Sequence, residues 1–152
     1  MLLATALALT ADATPNVAGS PTASNLEYVQ PIAGDWSYSA RVDGSEATFS
    51  NSAGQAQLTI RCTRSTRRIS LLKAAASASP TLWVWTSSER MSLPATYDAA
   101  SARLSADVRA YDPFLDAIAA SRGRIGFSSS GLAALVIPPW AEVGRVIEDC
   151  RI

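Results

Sequence analysis

The chain contains no histidine. The side chain that most often serves as general base, metal ligand and proton switch near neutrality is therefore missing. That counts against a histidine-activated serine or cysteine hydrolase and against a zinc site, and no cofactor is expected. It does not exclude an enzyme that works with carboxylates. Lysine occurs once, at Lys73, so arginine supplies the rest of the basic side chains. Charge is scarce, at 17% of residues, and 13 acidic residues balance 13 basic ones. With no net field to draw a polyanion, nucleic acid is not an expected partner. No apolar run reaches the length needed to cross a bilayer, so no integral membrane span is expected either.

Cysteine is limited to Cys62 and Cys150, which allow one pairing. Both occupy apolar positions of periodic segments, so they are either a disulfide or two buried thiols that behave as small hydrophobes. The start of the chain bears on the choice. Leu2–Leu9 resembles the end of a signal-peptide apolar region, and Ala11-Asp12-Ala13 fits a small-x-small cleavage pattern. The basic residues that open such a signal are missing. Residues 1–13 therefore read as a signal-peptide remnant, with the alternative that they are not a signal at all. Residues 14–31, rich in Pro, Ala, Ser, Thr and Asn, read as a flexible linker. A single β-rich domain is expected over residues 32–152, and a 48% apolar composition suffices to fill its core.

Within that span, short alternating segments dominate. Trp36, Tyr38, Ala40 and Val42 are predicted to share one face of a strand, and Asp43-Gly44 turns it into a partner over residues 47–50. Ala56, Leu58, Ile60 and Cys62 alternate with polar residues, and a hairpin leads to residues 68–72. Residues 74–80 read as a loop. Residues 82–86 carry bulk on both faces, so either both faces are covered or one tryptophan, Trp83 or Trp85, is exposed for binding. Residues 91–97 read as one strand that Pro94 confines to an edge or a bulge. Further short strands are expected over 103–108, 124–128 and 132–137.

Two helices complete the reading. The first, about 112–122, has Asp112 as N-cap, Pro113 at N1 and Gly123 past its end. The second, about 139–150, is entered through prolines. Its apolar stripe is Trp140, Val143, Val146, Ile147 and Cys150, and Arg145 sits at pairing distance from Glu142 and Asp149. The fold class is α+β: a mainly antiparallel β-sandwich or partly open barrel with two helices packed on it.

Three groups of side chains are candidates for chemistry. Arg61, Arg64, Arg67 and Arg68 are the one charge cluster. They form either an anion receptor, since guanidinium forks fit planar acids, or a solvated hairpin that discourages edge pairing. Trp36, Trp83, Trp85 and Trp140 either line a ligand groove or pack the core. An aromatic platform beside arginines would suit a glycan or a peptide. Asp107, Asp112 and Asp116 are carboxylates close in sequence, but Asp112 already has a capping role. Residues 128–131 lack the glycine pattern of a nucleophile elbow and read as a turn.

The opening Gly34-Asp35-Trp36, the strand carrying Cys62 and the ending Ile147-Glu148-Asp149-Cys150-Arg151 together resemble small exported proteins of sphingomonad-like bacteria. The layout is more distantly similar to the invasion-associated locus B family and to an accessory family of type VI secretion. The resemblance implies a periplasmic, β-rich domain without known catalysis, in which Cys62 and Cys150 are a structural pair. The expected function is that of a non-catalytic periplasmic or secreted domain binding a protein or a cell-envelope component. The alternatives are a carboxylate-dependent envelope enzyme acting on a glycan, and a small-molecule carrier.

Overall fold

Alternation from Ala56 to Thr63 produces the strand that carries Cys62, and antiparallel neighbours build outward from it. The computed structural model describes Leu26 and residues 28–152. The signal-peptide remnant and residues 14–25 and 27 of the linker lie outside the described residues. The elements run β1 (Gly34–Arg41), β2 (Gly44–Asn51), β3 (Ala56–Thr63), β4 (Arg68–Ala74), β5 (Thr81–Trp85), β6 (Arg90–Pro94), β7 (Thr96–Asp98), β8 (Arg103–Arg109), α1 (Pro113–Ala119), β9 (Ile125–Ser128), β10 (Leu135–Ile137) and α2 (Ala141–Asp149).

These strands form two antiparallel sheets. The first has the order β1-β2-β3-β4-β8-β7 and the second β10-β9-β5-β6. The sheets remain separate, which makes the fold a sandwich and not a closed barrel. The inward faces meet in one apolar cluster. Phe49, Leu58, Ile60 and Leu71 come from the first sheet, and Leu82, Val84 and Phe127 from the second. α2 lies on β1, β2 and β3, and α1 packs on α2. The outer face of the first sheet is polar, as expected where one side of an antiparallel sheet meets water.

Several expected boundaries move, each for a local reason. The residues read as one strand from 91 to 97 are two strands in different sheets. β6 ends at Pro94 and β7 begins at Thr96, so Pro94-Ala95 is the corner where the chain changes layers. The first helix stops at Ala119, not 122. The Ser121 hydroxyl donates to Arg124 O at 2.6 Å, so the chain turns before Gly123 can cap it. The second helix begins at Ala141, with Trp140 as its N-cap residue and 44% exposed rather than in the buried stripe. Val42 is fully exposed because it lies in the two-residue turn joining Arg41 to Gly44. Gly44 has φ +131°, and a Cβ there would lie 2.3 Å from Cys62 O, so only glycine fits.

The cysteines form the disulfide Cys62–Cys150, with Cα atoms 5.4 Å apart and a sequence separation of 88. It joins β3 to the residue that caps α2. The last described linker residues are not free of the domain. Leu26 is buried, Val29 O accepts from Arg124 Nη1 at 2.8 Å, and Ile32 N donates to Val136 O at 2.9 Å.

Candidate functional site

The predicted arginine cluster divides between two structural tasks. Arg61 lies on the outer face of the first sheet, where it donates through Nε to Glu46 at 3.1 Å. Arg41, across the sheet, pairs with the other oxygen of the same carboxylate. Arg64 and Arg67 sit at the β3–β4 turn and reach the end of α2. Arg64 Nε donates to Asp149 O at 3.2 Å, and Arg67 Nη1 donates to Cys150 O at 3.2 Å and Ile152 O at 2.8 Å. Carbonyls at a helix C-terminus lack intrahelical partners and carry partial negative charge, so these cations complement them. Arg68 remains exposed at the start of β4.

Of the two tryptophans of which one is expected to be exposed, Trp83 is the more exposed. A period of two places Trp83 and Trp85 on the same face of β5, and Leu82 and Val84 point into the sandwich. The two indoles are stacked on the outer face of the second sheet, centroids 5.9 Å apart and planes inclined by 16°. Trp83 is 38% exposed. Trp85 Nε1 donates to Ser128 Oγ at 3.2 Å, which fixes that ring on the sheet. Arg90, opposite Trp85 on β6, holds its guanidinium carbon 5.6 Å from the Trp85 ring centroid. Such a contact is an ordinary cation–π distance.

Beyond Trp85 the surface falls into a cleft of about 310 Å3, lined among the described residues by Leu26, Trp85, Thr86, Ser87, Arg122, Arg124, Gly126 and Val136. Gly126 is one of the lining residues. A Cβ there would lie 3.1 Å from Leu26 Cδ1 and 3.5 Å from Trp85 Cδ1, so a larger residue would crowd both walls. The α1–β9 connection supplies Arg122 and Arg124, and its position is fixed by two serines. Ser87 N donates to Ser121 Oγ at 2.8 Å, and Arg122 N donates to Ser87 Oγ at 2.9 Å. No acidic residue lines the cleft among the described residues.

Comparison with protein-family models, curated proteins and solved structures finds no match. What the site can do therefore follows from its own chemistry. The partly exposed indole of Trp83 offers flat apolar surface to the C–H side of a sugar ring. Three arginines around the stacked pair offer planar donors to a carboxylate. These are not the arginines singled out in the sequence. Arg90 is far in sequence from Arg122 and Arg124, and pairing of β5 with β6 and β9 brings all three to Trp85. The one local hint was Gly126 inside a strand, which marks close approach of another group.

Trp36 and Trp140 do not join this site. Trp36 is buried, and its Nε1 donates to Pro138 O at 2.7 Å, latching the segment ahead of α2. The aspartates are also engaged elsewhere. Asp112 accepts from Phe114 N as the helix cap, Asp116 pairs with Arg151 at 2.7 Å, and Asp107 accepts from Ser70 Oγ at 2.6 Å.

A second concavity lies on the outer face of the first sheet. It measures about 560 Å3 and holds Arg41, Arg61, Arg103, Glu46 and Asp98. Burial pushes the Glu46 carboxyl up, but hydrogen bonds from Arg41 and Arg61 and their charges outweigh it, and the net shift is downward. Hydrogen bonds from the Ser101 hydroxyl and the Ala100 N–H hold Asp98 below the usual carboxylate range. Carboxylate catalysis on a glycan requires one carboxyl kept protonated. Both acids here are held ionised, so neither donates a proton near neutrality. Among the described residues no group of three or more His, Cys, Asp or Glu could hold a metal ion.

Proposed function

We propose that the chain is a non-catalytic exported domain that binds an acidic cell-envelope glycan on the outer face of its second sheet. The observation that carries this reading is the stacked Trp83–Trp85 pair with Arg90 over one ring and Arg122 and Arg124 in the adjoining cleft. Stacked indoles select for flat faces. The arginines, unopposed by acids among the described residues lining the cleft, select for carboxylates. Export is supported by three features: the signal-like start, the resemblance to small exported proteins, and a disulfide of the kind that persists in oxidising compartments. Among the described residues no helix is long and apolar enough to cross a membrane.

The test is a fluorescence titration of the full chain with oligogalacturonate and with its methyl ester. Binding of the acid is expected, with affinity about tenfold weaker for the ester, because the guanidiniums lose their charged acceptor. Trp83→Ala and Arg122→Ala/Arg124→Ala are each expected to weaken binding by about tenfold or more. Equal affinity for acid and ester, or binding untouched by these substitutions, would remove this reading. A protein partner would then be the better account of the face.

A further inference from the structure

The only lysine in the chain is buried. Lys73 follows Ile69 and Leu71 on the inward face of β4, and it is 5% exposed. Its ammonium donates to Ala74 O at 3.2 Å and to Ala133 O at 3.3 Å. An ammonium carries three donors, and these two are the placed ones among the described residues. A pocket of about 200 Å3 lies beside it, between the end of β4 and the segment leading into β10. Ala75, Ala76, Leu132 and Ala134 give it apolar walls, and Gln57 adds one amide. Among the described residues lining it there is no charged group besides Lys73.

A buried cation without a counter-charge is costly, and two neutral carbonyls repay only part of that cost. An anion in the pocket would supply the rest. The volume lies below the roughly 300–1,000 Å3 of sites for drug-sized ligands, so the occupant is small. The walls call for a short aliphatic body, and the single ammonium calls for a single negative charge.

We infer that the Lys73 pocket is a binding site for a small aliphatic monocarboxylate. It is separate from the tryptophan face and does not depend on glycan binding there. Burial lowers the Lys73 pKa, and a bound carboxylate would raise it again, because it favours the charged form.

The single lysine makes the test direct. In full-length protein labelled with [13Cε]lysine, one side-chain signal reports the pocket. Titration with sodium butyrate at constant ionic strength is expected to move that signal along a saturating curve and to raise its pH midpoint. Butyramide, of similar shape without charge, is expected to bind at least about tenfold more weakly. Ala133→Leu, or Ala75→Leu if the first variant folds poorly, fills the pocket and is expected to abolish the saturable shift. A shift linear in butyrate, an equal response to butyramide, or saturation unchanged in a folded pocket-filling variant would overturn the inference.

Discussion

Asp149 shows how single residues hold the end of this chain. Its Oδ2 accepts from Tyr38 Oη and from Ser45 Oγ, each at 2.7 Å. Burial raises its pKa, but those two hydrogen bonds and the charges of Arg145 and Arg64 outweigh it, and the net shift is downward from 3.8. Glu46 is likewise lowered, from 4.5. In both cases the unfolded chain takes up a proton before the folded one as pH falls. The stabilisation is therefore complete above the ordinary carboxylate range, and it is lost as pH drops through 4.5 and 3.8 toward the depressed values. Tyr38→Phe is expected to cost about 1–2 kcal/mol at neutral pH and less in acid, by urea unfolding at pH values on either side of that range. An equal cost at both would separate Tyr38 from the Asp149 charge. Lys73 acts with the opposite cost. Its folded pKa is depressed by burial, so its charged form opposes folding below that value, and stability recovers as pH rises toward 10.5. Lys73→Met should leave the midpoint of thermal unfolding unchanged or raised at neutral pH, and it should flatten the alkaline rise. A clear loss of stability would contradict this. Sequence spacing did not show most of these partnerships. It puts Arg145 near Asp149, whose pKa the Arg145 charge does lower, but it does not place the Arg145 guanidinium carbon 3.7 Å from the Tyr38 ring centroid on a neighbouring strand.

Among the elements, the β3–β4 turn and the end of α2 form one unit. Arg64 and Arg67 cap the helix carbonyls, and Arg151 ties the far side through Ala110 O at 2.8 Å and Asp116 at 2.7 Å. Arg67 has φ +51°, so Arg67→Gly removes the side chain without straining the backbone. In the double variant Arg64→Ala/Arg67→Gly, amide exchange of Cys150 and Arg151 should quicken several-fold, with oligogalacturonate affinity unchanged. Loss of that affinity would make the cluster a ligand site. The elements themselves were legible where a local rule acts alone. Asp112 and Pro113 start α1, Val143, Val146, Ile147 and Cys150 mark the buried face of α2, and period-two alternation gives β3. What could not be read was set by non-local pairing. Nothing near Pro94 tells that β6 and β7 belong to different sheets. Nothing near Arg90 tells that β5 will place Trp85 beside it. The candidate site was therefore half visible: its tryptophans could be named, but not its arginines.

At the scale of the whole molecule, the tether between β3 and the end of α2 keeps the helix on the inward face of the first sheet, and the second sheet presents the tryptophans on its outer face. Closing a loop of 88 residues removes denatured-state entropy worth roughly 4–5 kcal/mol. Reduction, or Cys62→Ala/Cys150→Ala, should lower the midpoint of thermal unfolding by about 15 °C, and a shift of only a degree or two would show that the helix is held by its other contacts. The binding reading can be tested more directly, because the four indole N–H groups report three different places. In a 1H–15N spectrum of the full chain titrated with oligogalacturonate, the indole signals of Trp83 and Trp85 are expected to move together along a saturating curve. Those of Trp36, bonded to Pro138 O, and Trp140, at the start of α2, are expected to stay in place. Stationary Trp83 and Trp85 signals, or movement confined to Trp36 or Trp140, would contradict an acidic-glycan site on the second sheet.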